Sequence, residues 1–248
     1  MFTKNFTKVN RPLEEAHTSN GHFYKHKKTG ETFTSITTLF KILGDNSWIE
    51  NFWIPSLMKK HDISHDEADK MRKKIGEGSM KVGTQLHKMA EDYLNGKEIT
   101  LNKNDDWDYD PMKLFDVLRQ WLDENVSEVN ATECKIYSDD LKIAGTVDLV
   151  ATLKDGKKYI IDFKNSRKPK MPNDIVKNHY YEQMCAYAKM WKHCTKETIR
   201  DGIVLVVSWG DDKKPPKVRP FKCKLKDYES DLWTWVIKNE EYKALNTT

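Results

Sequence analysis

The tightest constraint in this chain is a pair of alternating segments on either side of an Asp-Gly turn, Gly145-Thr-Val-Asp-Leu-Val150 and Tyr159-Ile-Ile-Asp-Phe-Lys164. Successive side chains of a strand point to opposite faces. Val147, Leu149, Ala151 and Leu153 therefore share one face of the first segment, with Asp148 on the other. In the second, Tyr159, Ile161 and Phe163 share a face, and Asp162 and Lys164 point together to the opposite one. A loop of Lys154, Asp155 and Gly156 pairs Leu149 with Ile161 and Val147 with Phe163, and sets Asp148 directly across from Asp162. A two-residue Asp-Gly loop sets Asp162 against Leu149 and mixes carboxylate with core. A one-residue slip swaps the faces, so the hydrophobic pattern selects the longer loop, with Gly156 in the left-handed position.

Like charges directly opposite one another destabilise a sheet. The simplest agent to offset an Asp148–Asp162 pair is a divalent cation, and carboxylate oxygens suit Mg²⁺ or Mn²⁺. Lys164 lies on the same face, placed to orient an attacking water or to stabilise charge on a phosphorane-like transition state. A cross-strand Asp–Lys ion-pair cluster accounts for the same residues without a metal, and the two segments alone leave both readings open.

The surrounding pattern supplies further pieces. A hairpin is expected over His22 to Thr38, around Thr29-Gly30, running into a helix near Ser35 to Leu43. A helix over Ser47 to Lys60 carries Trp48, Phe52 and Trp53, with Pro55 kinking or splitting it. Charged helix from Ser64 to Ile75 is expected to break at Gly76-Glu77-Gly78. Ser79 to Asn95 is amphipathic, with Val82, Leu86, Met89, Ala90 and Tyr93 on one face; it carries His87, with Glu91 four residues on, and ends at Asn95-Gly96. Asn102 to Asp110 reads as a polar loop, and Pro111 opens a helix. Strand-like runs follow at Thr132 to Tyr137, Ile143 to Leu153 and Lys157 to Lys164. A helix over Asn173 to Lys192 places Tyr180, Gln183 and Tyr187 on one face. Strands at Gly202 to Trp209 and Val218 to Lys224 and a helix over Leu225 to Tyr242 close the chain. The central order of helix, three strands, helix and strand predicts an α/β protein with a mixed sheet flanked by helices.

Composition narrows the class. The 248 residues suffice for one elaborated domain, and no Pro/Gly/Ser-rich linker divides them. The expected organisation is an N-terminal hairpin and helical region over 1–78, guiding substrate, and a core with a C-terminal helix over 79–248. No apolar run approaches the roughly 20 residues that cross a bilayer, and Met1 to Leu13 has no signal or transit character. A cytoplasmic protein without membrane partners is expected. Cys134, Cys185, Cys194 and Cys223 lack C-x-x-C spacing, which argues against zinc or an iron–sulfur cluster and for reduced thiols. His22 with His26, and His61 with His65, are four apart but lack the Glu of a metalloprotease motif, so no catalytic zinc is expected. Phosphate-loop and Ser-hydrolase motifs are absent. A net charge of +4 does not by itself imply nucleic acid. The clusters Lys25-His26-Lys27-Lys28, Arg72-Lys73-Lys74, Arg167-Lys168-Pro169-Lys170 and Lys213-Lys214, with eight Trp and ten Tyr nearby, suit a groove that tracks phosphates and stacks bases. Lysine runs that merely keep a surface soluble are the alternative.

In order along the chain, Gly83…His87, Gly145-Thr-Val-Asp148, Asp162-Phe-Lys164 and Gln183-Met-Cys-Ala-Tyr187 resemble the RecB-type branch of the PD-(D/E)XK nuclease superfamily. Each motif is weak alone; the four in sequence are specific, and they span under half of the chain. Thr34-Ser-Ile-Thr-Thr-Leu39 and the Trp48 to Trp53 segment are similar, less specifically, to tailed-phage exonucleases and mitochondrial genome maintenance exonucleases. The chain departs from the superfamily's name in having Val147 rather than Pro before Asp148, and it lacks the cysteines of members that hold an iron–sulfur cluster. The resemblance implies a restriction-endonuclease-like core with an added N-terminal region. It implies that Asp148, Asp162, His87 and the Phe163 carbonyl hold Mg²⁺, with Mn²⁺ as a substitute, and that Lys164 and His87 act in catalysis. Gln183, Tyr187 and Tyr180 then hold the substrate backbone or organise the site. Arg167, Lys168, Trp48 and Trp53 guide a strand towards it. Glu133, on the preceding strand, is placed at most in water-mediated contact.

The activity expected is metal-dependent exonucleolytic hydrolysis of DNA, single strands favoured, in replication, recombination or repair. The partners expected are DNA and proteins of those processes, in a host cytoplasm if the chain is phage-encoded. A structure-specific endonuclease on the same core is the first alternative, and a noncatalytic DNA-binding recombination accessory protein the second.

Overall fold

The fold is described from a computed structural model, which covers residues 2–9, 12–18, 21–45, 47–102, 107, 109–210 and 214–246. Lys213 and most of the polar loop expected before Pro111 lie outside the described residues.

Two hydrophobic layers sandwich one sheet. The strands are β1 (Thr3–Lys4), β2 (Leu13–Thr18), β3 (Gly21–His26), β4 (Thr32–Ser35), β5 (Val126–Ser138), β6 (Ile143–Leu153), β7 (Lys158–Ser166), β8 (Asp201–Ser208) and β9 (Lys217–Lys224). They form a mixed sheet in the order β2-β3-β4-β6-β7-β8-β9, with β5 also on β6 and β1 on β5. The β4–β6, β7–β8 and β1–β5 pairs are parallel, and the others antiparallel. Helices α1 (Ile36–Leu43), α6 (Tyr180–Thr195) and α7 (Glu229–Asn246) pack on one face, over Val150, Ile160, Val204 and Val206. Helices α3 (His65–Asn95) and α4 (Pro111–Asn125) pack on the other, over Leu149, Ala151, Ile161, Phe163, Ile203 and Leu205. This is the expected α/β class, and α4, β5 to β7, α6 and β8 reproduce the expected central order.

The predicted register holds from Leu149 to Leu153, and the expected Asp148–Asp162 and Val147–Phe163 pairs lie beyond the ladder. Leu149 pairs with Ile161 and Val150 with Ile160, Leu153 N–H donates to the Lys157 carbonyl at 2.9 Å, and Gly156 has φ +77°. Val147 departs from the expectation. It packs with Ile143, Val150 and Ile160 rather than with Leu149, and does not face Phe163. The cause is a change of partner along β6. One edge of β6 pairs with β5 along its length; the other pairs with β4 at Ile143 and Ala144, then with β7 from Leu149. Among the described residues that edge has no ladder partner from Gly145 to Asp148, so the strand is not held to a strict pleat there.

Two helices differ from expectation. The break foreseen at Gly76-Glu77-Gly78 does not occur: α3 is a continuous 31-residue helix, running across position 78. Each helical glycine costs about 1 kcal/mol relative to alanine. Burial of Val82, Leu86, Met89 and Leu94 after them contributes about 1.5–3 kcal/mol per large side chain. Ala68, before them, is anchored against Ile54 and Leu57 of α2 (Ile54–His61). Packing at both ends outweighs two poor helix formers with no proline between. Pro55 ends a short π-helical turn (Ile49–Trp53) and starts α2, a split as expected.

Conversely, the single helix foreseen over Asn173 to Lys192 is two, α5 (Pro172–Lys177) and α6. The Asn178 side chain donates to the Asp174 carbonyl, competing with the helical ladder, and His179 turns left-handed at φ 57°. The His179 ring then sits between Phe40 and Trp235. Strand β2 was not foreseen at all, because its Glu14-Glu15-Ala16-His17 run is largely exposed and lacks apolar alternation. It joins β3 and β4, and Leu13, Tyr24 and Phe33 pack onto Ala144 of β6.

Candidate metal-dependent nuclease site

The gap in the β6 edge is where the four motifs of the sequence meet. Asp148 and Asp162 stand just beyond the last β6–β7 pair. Because β7 continues along β8 while β6 continues along β4 and β5, the two strands part there. The opening admits α3 from one face and α6 from the other.

From α3, His87 Nε2 donates to the Phe163 carbonyl at 3.0 Å. Its Nδ1 lies 3.5 Å from Asp148 Oδ1 and 3.6 Å from Glu133 Oε1. Asp148 Oδ2 accepts the Phe163 N–H at 2.6 Å. The peptide groups either side of Phe163 are thereby clamped, one by Asp148 and the other by His87. Gly83, one turn before His87, lets α3 come this close: a Cβ there lies 2.7 Å from Asn165 Oδ1 of β7. Asn165 in turn donates to the Ser79 carbonyl at 2.9 Å and to Tyr109 Oη at 2.8 Å, tying β7 to α3.

From α6, Gln183 Nε2 reaches Asp162 Oδ1 at 3.3 Å and Tyr187 Oη at 2.7 Å. Tyr187 lies against Gly145, where a Cβ meets its Cε1 at 2.8 Å. Lys164 Nζ sits 2.6 Å from Asp162 Oδ2 and 5.1 Å from the Tyr180 ring centre. The repulsion expected between the two aspartates is thus met partly by the protein's own cations, with His87 beside Asp148 and Lys164 beside Asp162.

Glu133, expected at most in water-mediated contact, stands beside His87 with its carboxylate among the candidate ligands. Its backbone is left-handed at φ 40°, a conformation that costs energy in any residue but glycine and recurs at functional sites. The kink aims its carboxylate at His87. Local alternation carries no signal of it.

His87, Glu133 and Asp148 bring three ligand atoms within 4.8 Å of one another. Asp162 is adjacent but stands outside that triad, engaged by Lys164 and Gln183. Burial disfavours the charged form of the His87 imidazole, yet Asp148 and then Glu133 outweigh it and hold its pKa well above the ordinary value. Burial also works against ionised Asp148, but His87, Lys164 and the Phe163 N–H keep its pKa below the usual carboxylate range. Burial pushes Glu133 up, with Asp148 adding to it. Burial and then Asp148 raise Asp162 to about 6 against the pull of Lys164. Lys164 itself is raised despite burial, by Asp162 first and Asp148 next, so it is a firmly charged donor. The field at the triad favours positive charge, and two carboxylates with one imidazole form a donor set that suits a divalent cation.

The other expected site residues are dispersed. A cleft of about 560 Å³ leads to His87 and Glu133, lined also by Tyr24, Thr146 and Tyr187. Trp48 and Trp53 stack at 5.3 Å and 7° on the π-helical turn, and Trp48 lines a separate depression with Lys170 and Lys177. Arg167 lies over the Tyr109 ring, and Lys168 is exposed beside it. Neither lines the cleft. No described helix is long and apolar enough to cross a membrane.

No curated protein sequence matches the chain. Among solved structures, a Eubacterium rectale protein described as a "putative exonuclease" is 12% identical, with a TM-score of 0.45, over 66% of this chain and 65% of that one. The chain therefore spans just under two thirds of that protein's length. The PD-(D/E)XK nuclease superfamily matches residues 111–240, more than half of the chain and inclusive of Asp148, Asp162, Lys164, Gln183 and Tyr187. This chain belongs to the PD-(D/E)XK nuclease superfamily.

Proposed function

We propose that the protein is a Mg²⁺-dependent exodeoxyribonuclease acting on single-stranded DNA ends. The observation that carries this reading is the meeting of His87, Glu133, Asp148, the Phe163 carbonyl, Asp162 and Lys164 at one parting of two strands. His87, Glu133 and Asp148 would hold the ion, with the Phe163 carbonyl and Asp162 adjacent to that triad. A divalent cation bound there would supply charge to polarise the phosphodiester and would lower the pKa of water.

The chain's own groups do the rest. Lys164, kept protonated, donates towards the phosphate and stabilises charge that develops on its oxygens. Asp162 holds that ammonium in place, and Gln183 holds Asp162. Tyr180 lies under the ammonium and Tyr187 closes the floor of the cleft. The region over 1–78 guides substrate. The Trp48–Trp53 stack, with Phe52 72% exposed beside it, supplies the flat apolar faces on which unpaired bases stack. Arg167 and Lys168 track phosphates.

The test uses end-labelled linear and closed-circular single-stranded DNA with Mg²⁺, Mn²⁺ or EDTA, and Asp162→Ala alongside. Metal-dependent loss of the linear strand only, abolished by the substitution, is expected. Cutting of the circle establishes an endonuclease instead. Binding without cleavage of single-stranded, double-stranded or RNA substrates leaves a noncatalytic accessory protein.

A further inference from the structure

The cleft that ends at His87 and Glu133 is lined on its outer side by Glu15 and His22, residues the nuclease chemistry does not use. They belong to the β2–β3 hairpin. His17 and His22 are direct cross-strand partners there, and Glu15 lies two residues before His17 on the same strand, hence on the same face. The two imidazoles stack with centres 4.3 Å apart and planes 11° from parallel. Both present Nε2 to the same oxygen, with Glu15 Oε2 3.8 Å from each. That separation is too long for a hydrogen bond. His22 Nε2 is buried and has no hydrogen-bond partner. Glu15 Oε1 accepts from Lys135 Nζ at 2.9 Å, which fixes the carboxylate and leaves Oε2 turned to the histidines.

Three potential ligand atoms therefore lie within 4.8 Å of one another. The carboxylate faces both rings without a hydrogen bond to either, and the buried His22 Nε2 is left with no partner.

We propose that Glu15, His17 and His22 form a second metal site, of the zinc class, on the rim of the nuclease cleft. Two imidazole nitrogens and one carboxylate oxygen are a zinc donor set rather than a magnesium one. Three protein ligands leave a coordination position for water or for an anionic oxygen entering the cleft. The ion cross-links β2 to β3 and so braces the strand pair that walls the cleft. The helical spacing of His22 and His26 pointed away from this arrangement: the partner of His22 is across the strand, not one turn along it.

The experiment separates this site from the nuclease centre by using Asp148→Ala, which removes a ligand of the latter. Zn²⁺ is titrated into the full chain against a chromophoric chelator, and Co²⁺ is used as the spectroscopic probe. Asp148→Ala is expected to retain one tight Zn²⁺ equivalent and a Co²⁺ ligand-field spectrum. His17→Ala and His22→Ala, each in that background, are expected to weaken binding by more than about 100-fold, exceeding the loss from outer-shell changes. The His17 side chain is 71% exposed, so that variant does not put folding at risk. Loss of all tight Zn²⁺ binding in Asp148→Ala, or binding there that His17→Ala leaves unchanged, overturns the proposal. Neither result depends on whether DNA is cleaved.

Discussion

The Phe163 N–H donates to the Asp148 carboxylate across 2.6 Å, where a strand–strand hydrogen bond is absent because β6 and β7 have parted. A side chain thus takes over the role of the ladder at the point where the sheet opens. Asp148→Asn keeps an acceptor for Phe163 but removes the charge beside His87. Cleavage is expected to fall by at least about 100-fold, the scale of losing one electrostatic stabiliser. The melting temperature should change little. A variant that retains activity while binding Mg²⁺ normally would remove Asp148 from the site.

Lys164 and Asp162 form a buried pair. Breaking such a pair by removing one partner costs about 3–5 kcal/mol, whereas removing both is often close to neutral. Lys164→Met is expected to fall near the lower figure, because Asp162, already raised to about 6, escapes part of the penalty by taking up a proton. Adding Asp162→Asn should restore most of the stability but none of the activity. Urea denaturation and single-turnover cleavage on the parent and both variants separate the two effects.

Gly83 and Gly76 lie two turns apart on one helix and predict opposite signs. A Cβ at Gly83 meets Asn165 Oδ1 at 2.7 Å and must displace the side chain that ties β7 to α3; at Gly76 nothing lies within 4 Å. Gly83→Ala is expected to lose about 1 kcal/mol of stability with that hydrogen bonding and about tenfold in kcat, as His87 moves off the Phe163 carbonyl. Gly76→Ala is expected to gain about 0.5–1 kcal/mol with unchanged kcat. Thermal denaturation and initial rates check both.

Tyr24, on the wall of the cleft, supplies a pH dependence of stability. Burial first, then Glu15 and nearby carboxylates, raises its folded pKa to about 12, against the Thr146 hydroxyl. The raised folded value means its contribution is fully present below the ordinary tyrosine pKa of about 10 and is lost as pH climbs through the folded value. Tyr24→Phe should be less stable than the parent near about pH 9, by about 1 kcal/mol for the hydrogen bond to Thr146. The gap should close as pH rises past about 10. Urea midpoints across that range test the sign.

The Trp48–Trp53 stack gives the strand-guiding reading its own test. Base–aromatic stacking contributes about 1–3 kcal/mol per base, so Trp48→Ala should weaken binding of a long single strand by about tenfold or more. Hydrolysis of a substrate only two nucleotides long should be unaffected. Equal loss on both substrates would place the tryptophans in the core of the fold rather than on the path of the strand.

What was legible from residues alone is what depends on local geometry. Alternation along β6 and β7 is a two-residue rule, and with Gly156 it was enough to choose the loop, pair Leu149 with Ile161 and bring two aspartates to neighbouring strands. Helical spacing likewise placed Gln183 and Tyr187 on one face, and the four motifs in order pointed to the superfamily. What tertiary structure alone decided are the features that need partners distant in sequence. The missing ladder at Gly145 to Asp148 exists because β4 and β7 share an edge of β6. The left-handed kink that turns Glu133 inward, the continuity of α3 through two glycines, and the meeting of Glu15 with His17 and His22 on a strand without apolar pattern depend on the same kind of contact. Each is set by packing free energies larger than the roughly 1 kcal/mol preferences of single residues, and those contacts are invisible to any window along the chain.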